Sequence, residues 1–170
     1  MNESPQQSAD RRWPSALAIG VLVALAGCSS RPPEPHLRDE GKSVEELRTM
    51  LADPSPEVQA RGAFGLSLHG PEASPAVPEL IEALKRPDAL VRQNAALALG
   101  AIGPGAASAV AALADLLGDS EWAVRRQAAL ALGEIGPAAK AALPALAKRD
   151  ADANKQVREV AKAARRKIGG

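Results

Sequence analysis

The 170-residue chain has no tyrosine, one phenylalanine, two tryptophans, one cysteine and two histidines. A single cysteine excludes a disulfide framework, and two histidines exclude a histidine-rich metal cluster. Charge of one sign is also missing. With 21 Lys+Arg against 20 Asp+Glu, the formal net charge is +1, so no bulk electrostatic attraction draws the chain to nucleic acid. What is abundant is alanine, which supplies 37 of the 78 hydrophobic residues. At 46% hydrophobic and 24% charged the composition is that of a globular protein. Nearly half of its apolar inventory is one methyl group per residue, which suits many helices at close approach better than one thick core.

The N-terminal residues read as an address. Arg11-Arg12 precedes Trp13-Pro14, an apolar run from Ala16 to Ala26, and then Gly27-Cys28. A basic flank before a short apolar run is the pattern of an export signal. The uncharged stretch from Trp13 to Ser30 is 18 residues and includes Pro14, Ser15, Cys28, Ser29 and Ser30. Its apolar part is short of the roughly 20 residues of a membrane span. Residues 29–41 hold three prolines and no helical period, which predicts an extended, semi-rigid spacer. His36 lies in that spacer and reads as a solvated linker residue.

Leu25-Ala26-Gly27-Cys28 resembles the lipobox of bacterial lipoproteins at all four positions. The resemblance implies cleavage before Cys28, acylation of its thiol, and a membrane anchor, since each buried CH₂ contributes about 0.8 kcal/mol. It divides the chain into a signal peptide at 1–27, a lipidated cysteine and Pro-rich tether at 28–42, and a folded domain at 43–170. The implied location is extracytoplasmic and lipid-anchored. With Ser29 after the cysteine, this is the outer membrane facing the periplasm in a bacterium with two membranes. Arg11-Arg12 also begins like a twin-arginine signal, but Trp13-Pro14-Ser15 departs from the residues usual after such a pair.

The rest of the chain repeats. Val58, Val91, Val124 and Val157 are spaced 33 residues apart, and VRQNAALALGAIGP at 91–104 matches VRRQAALALGEIGP at 124–137 at eleven of fourteen positions. Each copy predicts a helix, with Val91, Ala95, Ala98, Leu99 and Ile102 on one face. Leu90, Leu97 and Ala101 form a second apolar stripe, leaving Gln93 and Ala96 outside. Ser55-Pro56 and Asp88 fit N-caps, and the Gly-Pro pairs at 70–71, 103–104 and 136–137 fit helix stops. Second helices are expected at Val77–Lys85, Val110–Leu117 and Leu143–Lys148, aligned through Leu80, Leu113 and Leu146. Ser43–Leu51 aligns with them, which makes about eight helices in all.

The Val-Arg, Ala-Ala-Leu-Ala-Leu-Gly and Ile-Gly-Pro runs resemble HEAT-like repeats of the phycobilisome-lyase type over about 53–170. The resemblance implies an all-α fold, a right-handed α-solenoid of helical pairs. It also implies a stacked polar ladder built on Arg92, Arg125 and Arg158, weakened at the first copy where Gln59 replaces the arginine. In such solenoids the second helices line the concave face. There Glu46 and Glu79 fall in one row and Glu82 and Asp115 in the next, a candidate partner-binding stripe. Trp122 begins a helix, where burial is not required, and is a candidate interface anchor.

No catalytic constellation emerges. Gly65-Leu66-Ser67-Leu68-His69 starts like a nucleophile elbow but lacks its final glycine and lies within a helix. His69 aligns with Ile102, Ile135 and Ile168, and reads as a residue satisfied by a neighbour. Some enzymes built from related repeats hold iron with His-Glu pairs, and no histidine here precedes a glutamate. Neither a metal-ligand cluster nor a phosphate-binding glycine motif is present, so no cofactor is expected. From Lys155 to Lys167 there are six basic residues and one acid, with Arg165-Arg166-Lys167 replacing the Leu-Gly-Ala and Leu-Gly-Glu of the inner copies, Arg165 where a core leucine would stand. This predicts an end cap with cations near a helix C-terminus.

Together these features predict a lipid-anchored, non-enzymatic scaffold for recognition of another protein at a bacterial envelope. An accessory lyase or chaperone subunit, by family analogy, and nucleic-acid binding through the basic C-terminal helix are the alternatives.

Overall fold

The computed structural model describes residues 41–170. The expected signal peptide, Cys28 and most of the expected tether lie outside the described residues. Eight α-helices occur in chain order: α1 (Val44–Leu51), α2 (Pro56–His69), α3 (Val77–Ala83), α4 (Ala89–Ile102), α5 (Val110–Leu116), α6 (Trp122–Ile135), α7 (Leu143–Ala147) and α8 (Lys155–Gly169). The described residues contain no strand. The long helices α2, α4, α6 and α8 stack on one another in order, and each short helix packs on the next long helix in the chain. One layer of this α-solenoid is therefore a short helix plus the next long one.

Local chemistry sets the helix limits. Ser43 and Glu46 form a reciprocal capping box at the start of α1. Asp88 accepts from the N–H groups of Leu90 and Val91 at 2.9 and 3.0 Å, and Asn154 accepts from Gln156 at 2.8 Å. Ser55 stands at the N-cap of α2 as expected, but its side chain makes no capping bond and Pro56 opens the helix. At the other end, Gly70, Gly103 and Gly136 have φ of 55°, 70° and 72°, a region that side chains with a Cβ rarely enter. The proline after each has no N–H to offer the preceding turn.

Between long and short helix lies a feature that helical periodicity does not predict. Gly70–Ala76, Gly103–Ala109 and Gly136–Ala142 are 3-10 turns. Three residues per turn places every third side chain on one edge, and that edge is alanine: Ala73 and Ala76, Ala106 and Ala109, Ala139 and Ala142, all buried. The turns leave the short helices in place, since α3 and α5 start at Val77 and Val110 as expected.

The core is thin and regular. Leu47, Leu80, Leu113 and Leu146 of the short helices and Leu66, Leu99 and Leu132 of the long ones are wholly buried, each burial contributing about 1.5–3 kcal/mol. Alanine and glycine fill the seams. A Cβ on Gly100 would stand 3.1 Å from the Ala131 Cα, and one on Gly133 would stand 3.2 Å from the Ala164 Cα. The first layer is tighter still: a Cβ on Gly62 would lie 2.7 Å from that of Met50. Later layers carry alanine at that position.

This close packing corrects the expected second apolar stripe of α4. Leu90 is 54% exposed and Ala96 is fully buried, while Ala101 is exposed. The seam toward α6 runs instead through Ala96 and Gly100, because only residues without bulk let two helices approach so nearly. The run Ala89–Leu116 is also long and apolar enough on composition to cross a bilayer. However, 56% of its most apolar window is buried inside the fold, and Ala106 leaves helical geometry within it.

Candidate functional site

The short helices carry the acidic candidates, and the structure gives each a different surrounding. Glu46 caps α1: its Oε2 accepts from the Ser43 N–H and hydroxyl, both at 2.8 Å. Those bonds, the backbone one foremost, hold its carboxyl below the usual range. Glu79 of α3 accepts from the Arg48 guanidinium of α1, an ion pair that ties two layers together. Desolvation pushes the Glu79 carboxyl up, and the Arg48 hydrogen bond, a backbone hydrogen bond and the Arg48 charge together outweigh it, so the group stays ionised to lower pH than usual. Glu82 is exposed and pairs with Lys85 one turn on, at 2.8 Å. Asp115 is exposed and has no ion pair or hydrogen bond to a side chain among the described residues.

The acidic row is therefore heterogeneous. Its first member is a cap, its second a strut and its third half-compensated, leaving Asp115 as the one with charge to spare. Asp115 also borders a crevice of about 250 Å³ between α3 and α5, which Leu84, Lys85, Ala112, Leu116, Gly118 and Asp119 complete. Trp122 stands a few residues on, at the first position of α6, and is 43% exposed. It belongs to the loop-and-helix-start edge on which Leu90 also lies, one layer earlier. These are two of the three large apolar side chains exposed among the described residues, Leu68 of α2 being the third.

A second constellation runs along the same edge. Arg92 forms a two-point contact with Asp119, Nε to Oδ2 at 2.7 Å and Nη2 to Oδ1 at 3.0 Å. Arg125 repeats it with Asp152 at 2.9 Å in both contacts. The remaining Nη1 of each arginine donates to two carbonyls of its own loop, Arg86 and Pro87 for Arg92, Asp119 and Ser120 for Arg125. Each aspartate also accepts from the N–H two residues on, that of Glu121 or Asn154. The pairs are well enclosed, with side chains 14% and 7% exposed in one and 13% and 2% in the other. Desolvation raises the Asp119 carboxyl, and the Arg92 bonds, the Glu121 N–H and the charges of Arg92 and Arg125 together more than reverse it; at Asp152 the Arg125 bonds are the largest influence. Both carboxyls lie below the usual range.

The ladder expected on Arg92 and Arg125 is thus present, and Gln59 departs from it as expected. Gln59 donates to the Asp53 carbonyl of its own loop and reaches no side chain in the next layer. The carboxylate half of the ladder is new with the structure. Asp53, Asp119 and Asp152 are in 33-residue register with Arg86 as the exception, and that register is the signal by which the sequence marks it. His69 is satisfied by a neighbour: its Nε2 lies 2.9 Å from the Lys42 carbonyl. No group of three or more His, Cys, Asp or Glu side chains among the described residues is placed to hold a metal ion.

The profile of HEAT repeats matches residues 44–108 and 77–165, and the chain belongs to the HEAT-repeat family. No curated protein matches the chain. Among solved structures, a designed armadillo repeat protein in complex with the peptide (KR)4 is 22% identical, covering 74% of this chain and 64% of its own at a TM-score of 0.66. An engineered protein is 29% identical over 75% of this chain and 38% of its own, with a TM-score of 0.62. Human deoxyhypusine hydroxylase in complex with glycerol is 32% identical over 75% of this chain and 43% of its own, with a TM-score of 0.57. The chain spans less than two thirds of the length of each of these structures.

Proposed function

We propose that this HEAT-repeat chain is a lipid-anchored, extracytoplasmic scaffold that recognises a protein partner at a bacterial envelope. The observation that carries the recognition half is the edge holding Leu90 and Trp122 beside the Asp115 crevice. Three large apolar side chains are exposed among the described residues, and two of them stand on this edge, where the fold gains little from them. Asp115 adjoins that edge with its charge uncompensated, and Glu82 lies in the same row, which suits a partner segment with cationic and apolar residues. Arg92 and Arg125 are occupied by aspartates and loop carbonyls, so their role is structural. The designed armadillo relative binds a lysine-arginine peptide, and its likeness to this chain supports the fold only.

The anchoring half rests on Leu25-Ala26-Gly27-Cys28, with Cys28 lipidated. No catalysis is assigned: His69 is engaged by a main-chain carbonyl, and the likeness to a hydroxylase covers less than half of that enzyme. Crosslinking in living cells, with capture through a C-terminal tag, tests recognition. A discrete envelope protein that is lost on Trp122→Ala or Asp115→Asn supports it, and capture unchanged by both substitutions overturns the proposed face. Cys28→Ala tests the anchor, since an exported Cys28→Ala chain that remains in the membrane fraction contradicts lipidation. Glu79 is a poor reporter for either test, because changing it breaks the strut to Arg48.

A further inference from the structure

The face of α8 turned away from α6 combines three observations. First, its residues differ in kind from their counterparts one layer earlier. Ala129, Leu132 and Gly133 are buried in the seam that α6 makes with the next layer, and the same register positions in α8 are Lys162, Arg165 and Arg166. Second, that face is concave. Lys162, Arg165, Arg166, Gly169 and Gly170 of the α8 end, with Leu143 and Pro144 of α7, line an open groove of about 1010 Å³. Arg165 is paired with Asp150 at 2.6 Å. Lys162 and Arg166 have no acidic partner among the described residues, and both are exposed.

Third, Arg158 holds the posture of a ladder arginine without its carboxylate. Its Nη1 donates to the carbonyls of Asp152 and Ala153 at 2.7 and 3.1 Å, the same loop carbonyls that orient Arg92 and Arg125 in their layers. In those two, the Nε and Nη2 edge then grips an aspartate from the next layer. In Arg158 that edge meets no carboxylate among the described residues. A guanidinium fork fixed in advance loses little rotamer freedom on binding, and two-point contact to a carboxylate is its preferred use.

We propose that this face docks an acidic segment of a partner protein. One Asp or Glu seats on the Arg158 fork, further carboxylates meet Lys162 and Arg166, and an apolar residue lies on Leu143 and Pro144. Charge complementarity selects the occupant: three cationic side chains and one exposed acid on α8, Glu159, leave no match for a basic or purely apolar segment. This site is separate from the Asp115–Trp122 edge and uses residues of α7 and α8 alone.

Fluorescence anisotropy of a labelled oligo-aspartate peptide, titrated with the purified full chain, reads it directly. The expected result is saturable, salt-sensitive binding that weakens about tenfold in Arg158→Gln, a change the loss of a charge-assisted two-point contact readily produces. Arg158→Lys should weaken it as well, since the charge remains but the fork does not. Lys162→Gln with Arg166→Gln should reduce binding several-fold without touching a structural contact, which guards against loss of fold in the Arg158 variants. Lys140→Gln and Lys148→Gln, elsewhere on the surface, should leave it unchanged, as should Trp122→Ala. Equal binding by wild type, Arg158→Gln and the Lys162→Gln/Arg166→Gln chain would overturn the proposal. So would concentration-dependent self-association lost on Arg158→Gln, which would assign the face to a second copy.

Discussion

The junction between α2 and α4 and the junctions on either side of α6 are built from the same repeat, yet they are held differently. At α4–α6 and α6–α8 an arginine crosses to an aspartate in the next layer. At α2–α4 the crossing bond is neutral: the Asn94 amide donates to the Ala60 carbonyl at 2.9 Å. The reason lies in a double change. Where the ladder needs arginine it has Gln59, and where it needs aspartate it has Arg86. Either change alone would leave an unpaired charge or two cations facing each other. Together they cancel, so that the first junction is rung-free without being strained.

The largest expected difference between the two kinds of junction comes from removing one partner. Arg125→Ala would take the two-point partner from the Asp152 carboxylate, 2% exposed, leaving it only the Arg149 ion pair at 3.5 Å, and should cost about 3 kcal/mol, the low end for breaking an enclosed ion pair. Gln59→Ala removes one bond to a carbonyl and should cost about 1 kcal/mol. Urea unfolding of the two variants measures both. If Gln59→Ala proved as damaging as Arg125→Ala, the rungs would not be what distinguishes the junctions.

The seams should differ less, and in a testable order. Gly100→Val drives bulk into the Ala131 backbone at a junction that has a rung, and overpacking of this kind costs about 1–3 kcal/mol. Ser67 holds the same register position in α2, so Ser67→Gly should change stability by less than about 1 kcal/mol, the helix-propensity difference. Thermal unfolding compares them. A tolerated Gly100→Val would mean that the helices separate more easily than their alanine seam implies.

Acid should separate the junctions again. Asp119 and Asp152 have carboxyls below the usual range in the folded chain. A group lowered on folding contributes stability that is full above its unfolded value of about 3.9. That contribution is lost as pH falls through the lower, folded value. Hydrogen exchange tracked from neutral pH downward should therefore show α6 and α8 losing protection below about pH 4. The α2–α4 contact, with no rung, should lack this component. Parallel loss at all three junctions would point to Glu79 and the exposed acids rather than to the ladder.

These contrasts also show what the sequence can and cannot reveal. The repeat, the glycine stops and the eight helices are legible because each rests on a local pattern. Val, Ala, Leu and Ile recur at helical spacing, and Gly-Pro recurs at fixed offset. The ladder is half legible. Its arginines lie within the conspicuous helix motif, but their aspartates lie 27 residues on in variable loops, where no periodic apolar pattern marks the register. The stripe through Leu90 and Ala101 misleads because hydrophobicity alone ignores size. In a seam this narrow the buried residues are Ala96 and Gly100, and leucine is displaced to the edge. The candidate acids are legible as a row and not as four different environments. Whether a glutamate caps a helix, braces a neighbour or faces water depends on Ser43, Arg48 and Lys85, and only the folded geometry brings these to it.

The smallest expected effect is the most direct test of the comparison, because it converts one junction into the other. Gln59→Arg with Arg86→Asp restores both halves of a rung at α2–α4. Gln59→Arg alone places a second cation near Arg86 and should be neutral or mildly destabilising. Arg86→Asp alone should gain less than the double variant, because its carboxylate would face the Gln59 amide across the junction and have only Arg92 of its own loop nearby. The double variant should exceed the sum of the singles by about 1 kcal/mol, the upper end for an ion pair that is not deeply buried. A full double-mutant cycle, measured by urea unfolding at neutral pH and again near pH 3, separates the rung from changes in loop propensity. The coupling should shrink near pH 3, where the new carboxylate begins to be protonated. A coupling that persisted at full strength there would come from packing rather than from charge.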